Sequence, residues 1–160
     1  AENYKESYDN SLSDDVIYIG NNRISESSGL LSPTRTFAPL IRNVLKNNFD
    51  KIDGLIHCSG GGQTKCLKYV PGNVRVIKDN LFPIPPLFRL IQEQSKTDWK
   101  EMYQVFNCGH RMEIYVPQEI ANEIIAISES FNIEAQIVGR VEASENKKLT
   151  IKSEFGTFEY

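Results

Sequence analysis

A chain of 160 residues with 40% hydrophobic and 24% charged side chains has the make-up of an ordinary globular protein, long enough to bury roughly 70% of its unfolded surface. A net charge of −3 with scattered basic residues argues against a broad nucleic-acid surface, and no apolar run approaches the roughly 18 residues of a membrane span. The polar start Ala1–Asn10 lacks the zones of a signal peptide, so a cytoplasmic location is expected.

Residues 1–30 are rich in Ser, Asn, Asp and Glu, with Val16–Ile19 as a short apolar exception. They read as a lead-in segment or linker remnant, and residues 31–160 as one compact domain. Ser32-Pro33 is a helix-start signal, followed at helical spacing by Phe37, Leu40, Ile41, Val44 and Leu45. Gly54–Cys58 and Val74–Ile77 are short apolar runs suited to buried strands. Pro83-Ile84-Pro85-Pro86 cannot be helix or central strand and leads into a helix carrying Leu87, Leu90 and Ile91. Asp98 and Glu101 resemble a capping pair ahead of Trp99, Met102, Tyr103 and Phe106, which at this spacing form a core face. Arg111–Val116 alternates as a strand should, Pro117 opens a long helix with Ile120, Ile124, Ile127 and Phe131, and strands are expected at Ala135–Val141 and Leu149–Lys152. The mixture predicts an α+β fold with helices packed on a mixed sheet.

The segment richest in chemistry is His57-Cys58-Ser59-Gly60-Gly61-Gly62-Gln63-Thr64-Lys65, where a strand runs through successive glycines into an expected helix at Gln63–Tyr69. Glycine takes positive φ freely and lets a ligand approach the main chain, so its N–H groups can form an anion-binding concavity. Thr64 and Lys65 add a hydroxyl and a charge. The spacing matches neither a P-loop nor a Rossmann fingerprint, since Lys65 stands where the last glycine of the latter belongs. The bland alternative is a flexible turn.

A second candidate is the turn Asn107-Cys108-Gly109-His110-Arg111, in which Asn107, His110 and Arg111 can line a polar pocket or simply make a tight connection. Cys58, Cys66 and Cys108 are odd in number and lack a C-x-x-C spacing, which argues against a disulfide framework, a zinc knuckle or any other metal site. Cys58 and His57 are neighbours on one strand and point to opposite faces, so the thiols read as small core hydrophobes.

Taken in order, Leu31–Phe37, His57–Gly62, Phe82–Phe88 and Glu101–Asn107 resemble the C-terminal half of the aminoimidazole ribonucleotide (AIR) synthetases, over roughly residues 28–143. The commoner wording of that family is H-I-T-G-G-G-L in the loop and F-N-M-G-I-G-M in the turn. This chain departs from it at Cys58, Ser59 and Gln63, and at Cys108, His110 and Arg111. The segments at Pro83–Phe88 and Phe106-Asn107 favour AIR synthetase over the related formylglycinamidine synthetase, selenophosphate synthetase and thiamine-monophosphate kinase.

The resemblance implies a three-layer α/β/α arrangement and an ATP- and Mg2+-dependent cyclo-ligase of purine biosynthesis. Such an enzyme converts formylglycinamidine ribonucleotide to AIR. It further implies a homodimer whose ATP and metal ligands lie mainly in an N-terminal domain outside this chain, with no nucleic-acid or membrane partner. The isolated chain is therefore expected to fold without turning over, and to hold no cofactor tightly. On this reading His57, Ser59, Gly60, Gly61, Gly62, Thr64, Lys65, Asn107, His110 and Arg111 contribute to substrate or phosphate binding, with no general base assigned. The alternative is a non-catalytic phosphate- or nucleotide-binding module of the same superfamily.

Overall fold

The computed structural model describes residues 16–19, 22–25 and 36–160. Within the stretch read as a lead-in, strand β1 (Val16–Ile19) pairs antiparallel with β2 (Asn22–Ser25), Ile17 opposite Ile24. Ser32-Pro33 lies outside the described residues. Helix α1 begins at Ala38 and runs to Asn48, and Thr36 and Phe37 before it are not helical. The effective start signal is Pro39, whose missing N–H falls in the first turn, where no intrahelical acceptor exists.

Leu40 and Val44, four apart on α1, meet Ile120 and Ile124 of helix α4 (Gln118–Ser130) in one buried cluster. Asn48 closes the contact by donating to the Glu123 carboxylate at 3.0 Å. Ile114 and Val116 pack against the same cluster. They bring in strand β5 (Met112–Tyr115), which pairs antiparallel with β3 (Gly54–His57), Ile56 facing Glu113 across the ladder.

Side chains on a strand alternate between faces. Ile56 and Tyr115 therefore leave the ladder on the side away from α1 and α4 and join a second, larger core. That core rests on a four-stranded mixed sheet. Its order is β6 (Gly139–Ala143), β4 (Val74–Lys78), β7 (Lys148–Ser153) and β8 (Gly156–Glu159). β4 runs parallel to β7 and antiparallel to β6, while β7 and β8 are antiparallel. The fold is α+β with a mixed sheet, and the β3–β5 ladder forms a separate two-stranded sheet beside it.

Helix α2 (Pro86–Ser95) follows the proline run, and α3 (Trp99–Val105) follows the Asp98 cap, whose carboxylate accepts from the Glu101 N–H at 3.0 Å. Met102 and Tyr103 of α3 are fully buried, and Trp99 stacks on Phe155 at 3.8 Å, so these aromatic positions are core.

The expected strands shift by a residue or so at their ends, and two larger differences stand out. β6 starts at Gly139 because the residues before it are engaged by the β4 exit: the Asp79 and Asn80 N–H groups both donate to the Val138 carbonyl, and the Asn80 amide to that of Ile137. β8 was not legible in advance. It forms because Gly156, with φ of +130°, turns the chain back onto β7.

Candidate functional site

The glycine segment leaves β3 and enters a 3-10 helix, Gly62–Lys68, rather than an α-helix. Gly61 has φ of +94° and Gly62 φ of +50°, both in the left-handed region that favours glycine. Their roles diverge. A Cβ on Gly62 would sit 2.5 Å from the Phe106 carbonyl oxygen, so Gly62 is where the loop presses on the end of α3. A Cβ on Gly61 would meet Lys65 in ordinary contact, its Cβ nearest at 3.6 Å, and one on Gly60 would meet nothing within 4 Å.

The Gly62 N–H donates to Ser59 O at 3.2 Å and the Thr64 N–H to Gly61 O at 3.1 Å. Those of Gly60 and Gly61 have no backbone acceptor among the described residues. The Lys65 ammonium bridges back to the Ser59 hydroxyl at 2.9 Å, and the Thr64 hydroxyl donates to Gly61 O at 3.0 Å. The loop is thus closed upon itself while Gly60 and Gly61 face an open hollow. Asp98, Lys100, Glu101, Gln104 and Val105 line the rest of it.

Two clamps hold this loop. Before it, the Asn107 side-chain amide donates to the Cys58 carbonyl at 3.0 Å, while its oxygen accepts the Gly109 N–H at 3.0 Å. After it, the buried Gln63 side chain donates to Asn107 O at 2.7 Å. The Gln63 main-chain and side-chain oxygens both accept from the Lys78 ammonium, at 2.8 and 2.9 Å. Lys78, only 2% exposed, directs its remaining donor to the Glu113 carboxylate, itself 7% exposed. The other Glu113 oxygen accepts from the Tyr115 hydroxyl at 2.8 Å. Burial and the Glu113 charge push the Tyr115 hydroxyl well above the ordinary tyrosine range, so it stays a donor.

The structure therefore brings Ser59, the glycines, Thr64, Lys65 and Asn107 together. It places His57 and Arg111 on the surface beside them, with the Cys58 N–H on the Arg111 carbonyl at 2.9 Å and the Phe37 ring edge-on to His57. His110 is separate. It is buried against the Phe82 ring, and its Nε2 accepts the Phe82 N–H at 3.3 Å, which leaves the proton on Nδ1. That Nδ1 has no partner among the described residues. Burial, then the nearby Lys78 charge, pushes the imidazole down to about 4, so it is neutral at physiological pH.

All three cysteines are buried and free. Burial pushes the Cys58 and Cys108 thiols up to about 12 and raises that of Cys66. None is a thiolate at neutral pH. Among the described residues no group of three His, Cys, Asp or Glu side chains is placed to hold a metal ion, and no helix is long and apolar enough to cross a membrane.

Sequence reasoning missed Lys78 and Glu113. Each is a charged residue on a short strand, and nothing local reveals that strands so far apart in the chain bring the two together in the interior.

The family model for the C-terminal domain of AIR synthase related proteins matches residues 20–152. A phosphoribosylformylglycinamidine cyclo-ligase from Lawsonia intracellularis is 34% identical over 115 residues, 71% of this chain and 32% of that protein. The enzyme of the same name from Methanopyrus kandleri is 36% identical over 113 residues, again 71% and 32%. The chain thus spans about a third of the length of these relatives. Among solved structures, the Escherichia coli hydrogenase maturation protein HypE superposes with a TM-score of 0.54 at 18% identity, over 79% of this chain and 39% of that one, a likeness of fold. This chain belongs to the AIR synthase related C-terminal domain family.

Proposed function

We propose that this chain is the C-terminal part of a phosphoribosylformylglycinamidine cyclo-ligase and closes the nucleotide-binding side of its active site. The observation that carries the reading is that Gly60 and Gly61, whose N–H groups have no backbone acceptor among the described residues, line an open hollow in a chain whose relatives bear that enzyme's name. A rigid array of main-chain donors receives an anionic oxygen without reorganising, which suits a phosphate of the nucleotide substrates.

In the proposed reaction the amide oxygen of formylglycinamidine ribonucleotide takes the γ-phosphoryl group of ATP and ADP leaves. The neighbouring nitrogen attacks the activated carbon, and phosphate departs as the imidazole ring closes. The ATP and metal ligands belong to the other two thirds of such a protein, and the setting is cytoplasmic purine biosynthesis. Asp98 and Glu101, which also line the hollow, oppose an unscreened anion, which supports a reading with the phosphate at Gly60–Gly61 rather than over α3.

The test is the complete reading frame expressed in a purine-requiring strain that lacks AIR synthetase, beside an assay of the purified protein for ATP-dependent AIR formation. Growth without purine and AIR production are expected. No rescue and no AIR from a folded protein would sink the reading.

A further inference from the structure

Lys78 is an unusual residue to find at the end of a buried strand: all three of its N–H donors are used, and two go to one residue, Gln63. That residue ends the glycine turn. Its amide in turn reaches Asn107, which holds Cys58 at the start of the turn. The four residues Ser59–Gly62 are thus suspended between two anchored points, and both anchors belong to one hydrogen-bonded chain running Glu113, Lys78, Gln63, Asn107, Cys58. The chain joins β4 of the mixed sheet to β5 of the separate ladder.

A buried ion pair is costly to break but cheap to replace whole by apolar groups, so stability alone does not require one. What it supplies is direction: a fully satisfied network admits one arrangement, where an apolar contact would let the turn slide.

From this we infer that Lys78 is a positioning residue. Anchored by Glu113, it fixes Gln63 and through it the Gly60–Gly61 donor face in the geometry that receives the substrate's anionic group. The inference rests on the cyclo-ligase reading for what is bound, but the fixing of the loop is measurable without it.

The experiment replaces the network as a unit, by Gln63→Leu, Lys78→Met, Glu113→Leu and Tyr115→Phe together in the complete protein, so that no buried charge is orphaned. Two quantities are read: hydrogen–deuterium exchange of the peptide spanning 59–65, with that spanning 118–130 as control, and the steady-state constants. We expect exchange in 59–65 to quicken about tenfold with the control unchanged, and KM for the loop's nucleotide substrate to rise about tenfold with a smaller change in kcat. Unaltered exchange would overturn the inference, and so would faster exchange with unaltered KM. Should the fourfold variant not fold, Gln63→Met leaves Lys78 and Glu113 paired and carries the same two readouts. A wild-type protein without cyclo-ligase turnover would sink the functional reading alone, and exchange would then decide whether the clamp sets the loop.

Discussion

The side-chain amide of Asn107 holds the main-chain carbonyl of Cys58 at 3.0 Å across 49 positions of sequence. The bond ties the turn before β5 to the end of β3, one residue ahead of Ser59 and the glycines. Asn107→Asp keeps the acceptor for the Gly109 N–H but removes this donor and sets a carboxylate oxygen against a carbonyl. A loss of about 1–3 kcal/mol is expected in urea unfolding, the usual cost of leaving a buried polar group unmatched. An unchanged midpoint would show that the contact is not made.

Gly61 and Gly62 should separate binding from folding. Gly61→Ala places a Cβ in ordinary contact with Lys65 but keeps φ at +94°, a strain of roughly 1–2 kcal/mol. The domain should stay folded while KM for substrate or ATP rises, by more than in Lys65→Ala. Gly62→Ala drives a Cβ to 2.5 Å from the Phe106 carbonyl and should fail to accumulate as folded protein. Normal kinetics with a lowered melting temperature in Gly61→Ala would reduce the loop to a turn.

His110 gives the protein an acid limb. Its folded value of about 4 lies below its ordinary 6.5, so its contribution is complete above about pH 6.5 and is lost as pH falls through about 4. Over that window the unfolded chain takes up a proton that the buried imidazole refuses. His110→Leu should therefore show a shallower fall in unfolding free energy between pH 6.5 and 4 than wild type, by about 2–3 kcal/mol. Parallel curves would mean that the ring is hydrated in solution.

The thiols predict the opposite limb. Cys58 and Cys108 move from an ordinary 9.0 to about 12, so the stability tied to their neutral form is present below about pH 9 and lost as pH rises toward 12. In native protein at pH 8, Cys58, Cys66 and Cys108 should resist a thiol reagent that titrates all of them after denaturation. Replacing each by Ala in the complete protein should cost about 1 kcal/mol of stability and leave turnover largely intact. A folded Cys variant slowed by orders of magnitude would make that thiol a participant in the chemistry.

Leu149 is fully buried in the core under the mixed sheet, with Ile151 beside it and Val76 opposite it on β4. Leu149→Ala should cost about 2–5 kcal/mol in denaturant unfolding. A smaller loss would show that the second core closes around the gap.

The local devices were legible in the sequence because each acts within a few residues. The Asp98 cap, the Pro117 helix start, the Ile120–Ile124 face and the turn capacity of Gly60–Gly62 depend on backbone torsions and side-chain spacing alone. The four motifs in their order also sufficed to point to the family. The tertiary structure decided which signals prevail and which residues meet. Pro39, not Pro33, opens α1, since Thr36 and Phe37 are not helical, and β6 starts late because its expected first half serves the β4 exit. It also split two candidates that looked alike: Asn107 clamps the glycine loop, while His110, three residues on, is buried against Phe82. The Lys78–Glu113 pair was beyond reach for the same reason. Burying a charge is unfavourable by every local rule, and only the packing of β4 against the β3–β5 ladder supplies the partner that makes it tolerable.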